Sequence, residues 1–155
     1  MPAHDSSSPI IRYLAIDLGD KRTGLALGDS FSRLATPVGV LEVPISIHDG
    51  GALLDAIDGA IAENLGHNKA NSVLVLGLPM NMDGSEGPRA KLVRAFAEKL
   101  AQRTGRTVEL FDERLTSAEA DWLMAQSGLS HKQKKQRRDA IAAAVMLKSY
   151  LDQQI

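Results

Sequence analysis

The 155-residue chain is 44% hydrophobic and 24% charged, which excludes a disordered or fibrous protein and gives length enough for one core burying roughly 70% of the unfolded surface. With no cysteine, it excludes disulfides, thiolate zinc sites, iron–sulfur clusters and a thiol nucleophile. A formal net charge of -1 excludes bulk attraction to nucleic acid, so any phosphate binding must rest on local basic patches.

Met1 to Pro9 is polar and lacks a basic stretch followed by an apolar one, so residues 1–10 are expected to form a flexible tail ahead of a single domain over 11–155. Ile11 to Leu18 is a β-branched and aliphatic run that breaks at Gly19-Asp20 and resumes from Thr23 to Leu27, the pattern of a hairpin. Thr36 to Val43, closed by Pro44, completes a three-strand antiparallel meander. Leu53, Leu54, Ile57, Ile61 and Leu65 then recur at helical spacing, with Gly66 as the stop.

Ser72 to Leu78 is a continuous apolar run, as in a strand covered on both faces, and Pro79 ends it. A helix opening near Pro88 carries Leu92, Val93, Phe96, Ala97 and Leu100 on one stripe and stops near Gly105; Thr107 to Phe111 is the next strand. Thr116 to Glu119 matches a capping box for a helix through Met124 to Gly128, in which Trp122 and Met124 are expected to pack. A final helix is expected from about Lys134 to Asp152, and His48 to Gly51 and Leu129 to Gln136 are the loosest stretches. This order predicts an α/β fold: a mixed five-stranded sheet with helices on both faces. The longest apolar run, Ala140 to Leu147, is far below the ~20 residues of a membrane span, so a cytoplasmic protein without membrane contact is expected.

Three acids stand where carboxylates are costly. Asp17 closes a strand made apolar by Leu14, Ile16 and Leu18, so it needs a cation or donors to offset desolvation; capping the hairpin turn is the plainer role. Asp112 and Glu113 leave the fifth strand together, and adjacent residues face opposite sides, so only one shares a side with Asp17. Glu113 is favoured and Asp112 is the competitor. Asp139 precedes an all-apolar helical run at the mouth of the core, where the helix dipole alone is also a reason for an acid.

Three carboxylates meeting at one edge of the sheet would repel unless they shared bound cations, and hard oxygen donors point to magnesium or manganese. Two such ions support phosphodiester hydrolysis without a separate general base. Lys132, Lys134, Lys135, Arg137 and Arg138 crowd directly before Asp139, and with Lys21, Arg22 and Arg114 they are candidates for holding a nucleic-acid backbone; a solvated charged face is the ordinary alternative. The glycine-rich stretch Gly77 to Gly87 offers backbone N–H groups to a phosphate, or is simply a tight loop. Only six aromatic residues are present, so recognition by shape and backbone is expected over base stacking.

Taken in order, DLGDKRTG, GLPMNMDGSEG, DERLTSAEA and DAIAAAVMLKSYL resemble the YqgF family of Holliday-junction-resolvase-like pre-16S ribosomal RNA nucleases over residues 11–152. The resemblance implies a ribonuclease H-like fold, Asp17, Glu113 and Asp139 as active-site and metal-binding acids, and a role at the 5' end of small-subunit ribosomal RNA. Asp20 and Arg138 depart from the family pattern, where a small polar and an apolar residue are more usual. Three readings stay open: a ribosomal RNA processing nuclease, a DNA junction resolvase, and a noncatalytic nucleic-acid or nucleotide-binding module. A monomer and a homodimer are both compatible with the sequence.

Overall fold

The computed structural model describes residues 8–118, 122, 125, 128 and 130–154. β1 (Arg12–Asp17), β2 (Thr23–Asp29) and β3 (Ala35–Leu41) form the antiparallel meander, β4 (Ser72–Leu78) lies parallel to β1, and β5 (Thr107–Asp112) lies parallel to β4. The order across the sheet is β3-β2-β1-β4-β5, the mixed five-stranded sheet expected, with strand ends shifted only slightly. The ladder between β2 and β3 slips at Leu25/Ala26, so that Leu25 pairs with Gly39 and Ala26 with Pro37.

Alternation along the strands divides the core in two. Leu14 and Ile16 of β1 and Leu18 just beyond it, with Leu74, Leu76 and Leu78 of β4, face α1 (Gly51–Leu65) and α2 (Pro88–Thr104). Leu53, Ile57 and Ile61 of α1 and Val93, Phe96 and Leu100 of α2 complete that side. The intervening residues, Tyr13 and Ala15 of β1, Ala26 of β2 and Val75 of β4, face the last helix, Arg138–Asp152, on the other side. Gly66 and Gly105 end α1 and α2 at φ 75° and 66°, a region that costs glycine little.

The long last helix is in fact two. α3 (His131–Gln136) opens on a capping box in which Ser130 Oγ accepts from the Gln133 N–H at 3.2 Å and the Gln133 side chain accepts from the Ser130 N–H at 2.8 Å. Arg137 leaves helical geometry at φ -112° and ψ 15°, and α4 (Arg138–Asp152) follows. Arg137 Nη2 donates to the Pro37 carbonyl of β3 at 2.9 Å, an anchor that fixes the break. No proline or glycine marks it, which is why periodicity runs straight through.

α4 lies close on the second face because both surfaces are small there: Ala140, Ala143 and Ala144 meet Gly24 and Ala26. It is not buried all round, since Ile141 is half-buried and Ala142 exposed. The expected helix from Thr116 falls mostly outside the described residues, as do Glu119, Met124 and tail residues 1–7; Trp122, expected to pack, is 62% exposed. The segment expected to be loose after Ile47 is a 3-10 turn, Ile47–Gly50, with His48, Asp49 and Gly50 all at positive φ. Among the described residues no helix is long and apolar enough to cross a membrane.

Candidate active site

Asp17 ends β1 and continues the alternation of Tyr13 and Ala15 toward α4, half-buried between two glycines: Gly24 is its partner on β2, and Gly77 follows Leu76, the β4 partner of Ile16. Along β5, Glu109 meets the Tyr150 hydroxyl and Phe111 packs on the same face, so Glu113 arrives on that side as the chain enters the turn Glu113–Leu115. Glu113 folds back over β4, where a Cβ on Gly77 would lie 2.4 Å from its Oε1 and 2.7 Å from Met146 Sδ. The bare backbone at Gly77 is therefore what lets this carboxylate reach Asp17.

The two carboxyls are hydrogen-bonded to each other. Burial, then the charges of Glu113 and Asp139, push the Asp17 pKa from 3.8 to about 7, against the opposing Arg89 cation. Burial likewise raises Glu113, offset by its bond with Asp17 and by Arg89. The pair holds a proton that isolated carboxylates would have released. Asp112, by contrast, caps the turn by accepting from the Arg114 N–H at 2.9 Å and takes the Arg114 guanidinium at 2.7–3.1 Å, which holds its carboxyl below the usual range.

Asp139 stands in the first turn of α4, half-buried, and accepts from Arg22 Nε at 3.2 Å. Its charge reaches Asp17, yet its carboxylate is turned to Arg22, and among the described residues no three acids or histidines form a group ready to hold a metal. The donor chemistry nonetheless fits a hard divalent cation: two touching carboxyls that retain a proton gain by exchanging it for a metal, and a third acid lies within electrostatic reach. Asp17 and Glu113, joined by Asp139, are the residues that would hold such an ion.

The cations are less uniform than the sequence suggests. Arg114 reaches past Asp112 to the Asn81 and Met82 carbonyls at 3.3 and 3.4 Å, fastening the glycine-rich loop after β4. That loop spends the N–H groups of Asn81, Gly84 and Ser85 internally, so they are not the phosphate cradle considered from the sequence. Arg137 is committed to Pro37, and Arg22 to Asp139. Lys21, Lys132 and Arg138 are exposed, whereas the side chains of Lys134 and Lys135 lie outside the described residues.

Arg89 escaped the sequence reading. From the first turn of α2 it donates to the Leu18 carbonyl at 2.6 Å and pairs with Asp20, tying the β1 exit to α2 beside the acids. The signal available was Asp20 itself, an acid atypical for its motif.

The model of the RuvX family, described as Holliday junction resolvase, matches residues 11–153. The chain belongs to the RuvX family. This is the family, also called YqgF, whose motifs the sequence carries. A protein of Anaeromyxobacter sp. named "putative pre-16S rRNA nuclease" is 44% identical over 142 residues, covering 92% of this chain and 97% of that one. A protein of the same name from Chloroflexus aurantiacus is 35% identical, covering 90% of this chain and 85% of its own length. Among solved structures, T. thermophilus RuvC in complex with a Holliday junction substrate superposes with a TM-score of 0.57 at 14% identity, covering 93% and 96% of the two chains. The RuvX chain thus has the ribonuclease H-like fold that its motifs imply.

In this RuvX chain a cavity of about 440 Å³ opens beside the acids, lined by Asp17, Glu113 and Arg138 among others. Gly77→Ala tests the geometry: its methyl displaces the flexible end of Glu113, so cleavage is expected to fall about tenfold or more while stability changes by less than ~2 kcal/mol. Cleavage rate measured alongside urea unfolding would show it; unchanged cleavage would mean that Glu113 does not act from this position.

Proposed function

We propose that this chain is a metal-dependent nuclease that hydrolyses phosphodiester bonds in ribosomal RNA precursors, at the 5' end of pre-16S RNA, through a single domain over 11–155. The contact between Asp17 at the end of β1 and Glu113 just after β5, on one face beside Asp139, carries this reading. Curated relatives at 35–44% identity are named for pre-16S RNA. Bound at these carboxylates, magnesium or manganese would supply Lewis acidity for the attack of water on a phosphodiester.

The chain's own residues do the rest. Asp17 and Glu113 would give up the proton they share and, with Asp139, would hold the cations; Arg89 holds the β1 exit so that Asp17 keeps its place. Lys21, Lys132 and Arg138 are exposed and take the phosphates on either side, and Arg22, released from Asp139 when that acid turns inward, joins them.

A second reading, cleavage of branched DNA, is favoured by the family description and by the fold shared with RuvC. A side-by-side assay on a pre-16S RNA fragment and a four-way DNA junction, with magnesium, manganese or chelator, separates the two. Metal-dependent cutting of the RNA with the junction intact is expected; the reverse preference would replace the RNA assignment by the DNA one, and cutting in chelator would remove the metal. A resolvase acting on a two-fold junction should also be a dimer by light scattering.

A further inference from the structure

The cavity beside the acids has an apolar part that phosphodiester hydrolysis does not use. Ile141, Ala142, Val145 and Met146 of α4 line it together with Asp17 and Glu113. Ala142 is exposed and Ile141 half-buried, so this is the one stretch of the apolar run on α4 that the sheet leaves uncovered. A phosphate or a ribose, both rich in polar oxygens, loses hydration against such a wall. The flat face of a base is the part of a polynucleotide that gains by burial there. At about 440 Å³ the space falls within the range of pockets that enclose one small ligand, ~300–1,000 Å³, and admits one nucleotide rather than the width of a duplex.

We propose that this cavity receives the base of a nucleotide adjoining the scissile phosphate, unstacked from its neighbours, so that the enzyme cuts where that nucleotide is unpaired. Arg138, lining the same cavity, holds the phosphate of that nucleotide, and Thr116 offers its hydroxyl to a base edge. The inference rests on the nuclease reading and narrows its substrate to unpaired positions, because drawing a base out of a continuous duplex costs unstacking and unpairing that a single strand or bulge largely escapes.

The test uses the full chain and whichever polymer it cuts. The cleavage position is first mapped on a single strand; that strand is then annealed to complements that pair both flanking nucleotides or leave one unpaired. Cleavage is expected to fall at least about tenfold when both are paired and to return when one is left free. Ala142→Leu, at an exposed position that spares the core, should slow cutting of the unpaired substrate about tenfold. An abasic nucleotide at the pocket position should abolish the difference between variant and wild type. Equal rates on paired and unpaired substrates, or an Ala142→Leu defect that persists on the abasic strand, would overturn the inference while leaving the nuclease intact. Failure of the wild type to cut any strand would instead overturn the nuclease reading and this inference with it.

Discussion

Asp17→Asn is expected to lose cleavage by roughly a thousandfold or more, since loss of a mere outer-sphere partner of a metal ligand already costs ~10- to 100-fold, and yet to be more stable than the wild type in chelator at neutral pH. The sign follows from the raised pKa. Between 3.8 and about 7 the folded protein keeps a proton on Asp17 that the unfolded chain releases, so stability declines as pH rises through that window and the full penalty stands above it. Asparagine carries no such titration, so the variant should gain roughly 2–4 kcal/mol at pH 8 and almost nothing at pH 4. Magnesium should reverse the order by stabilising the wild type alone. Urea unfolding at the two pH values, with and without metal, reads all of this. Retained cleavage would dismiss Asp17 as a ligand, and a pH-independent difference would show that the carboxyl pair is not proton-bound in the fold.

Gly24→Ala should have the largest effect on folding. A Cβ there would lie 1.9 Å from the Asp139 carbonyl and 2.8 Å from the Ala140 nitrogen, both backbone atoms that no rotamer change can move aside. α4 would have to lift from β2, taking Asp139 with it, at a cost of about 3 kcal/mol or more. Gly39→Ala is the control, because nothing lies within 4 Å of its added Cβ. It should leave stability unchanged or raise it by up to ~1 kcal/mol. A Gly24→Ala midpoint matching that of the control would mean that α4 does not press on β2 as described.

Much of this was open to reading from composition and periodicity. The meander, the buried fourth strand and the helices stopped by Gly66 and Gly105 follow from alternation, apolar runs and glycine punctuation, which are local signals. Alternation also says that only one of Asp112 and Glu113 shares a side with Asp17, without saying which. What the fold adds is the choice: Glu109, Phe111 and Glu113 step along one face, while Asp112 turns to its neighbour Arg114. Tertiary partners were not legible. Arg89 matters through Leu18 and Asp20, about seventy residues earlier, and the break at Arg137 depends on a carbonyl a hundred residues away. Gly77 reads as an ordinary strand glycine until a carboxylate is found lying across it.

Pro37 has a consequence for how the molecule meets others like itself. β3 is an outermost strand, the kind of margin at which a foreign strand can add on and seed aggregation. Pro37 brings no N–H to such a pairing, and its carbonyl is already taken by Arg137. The ladder a newcomer would need is thus interrupted midway, and copies of this chain that associate must do so face to face or through helices rather than by lengthening the sheet on that side.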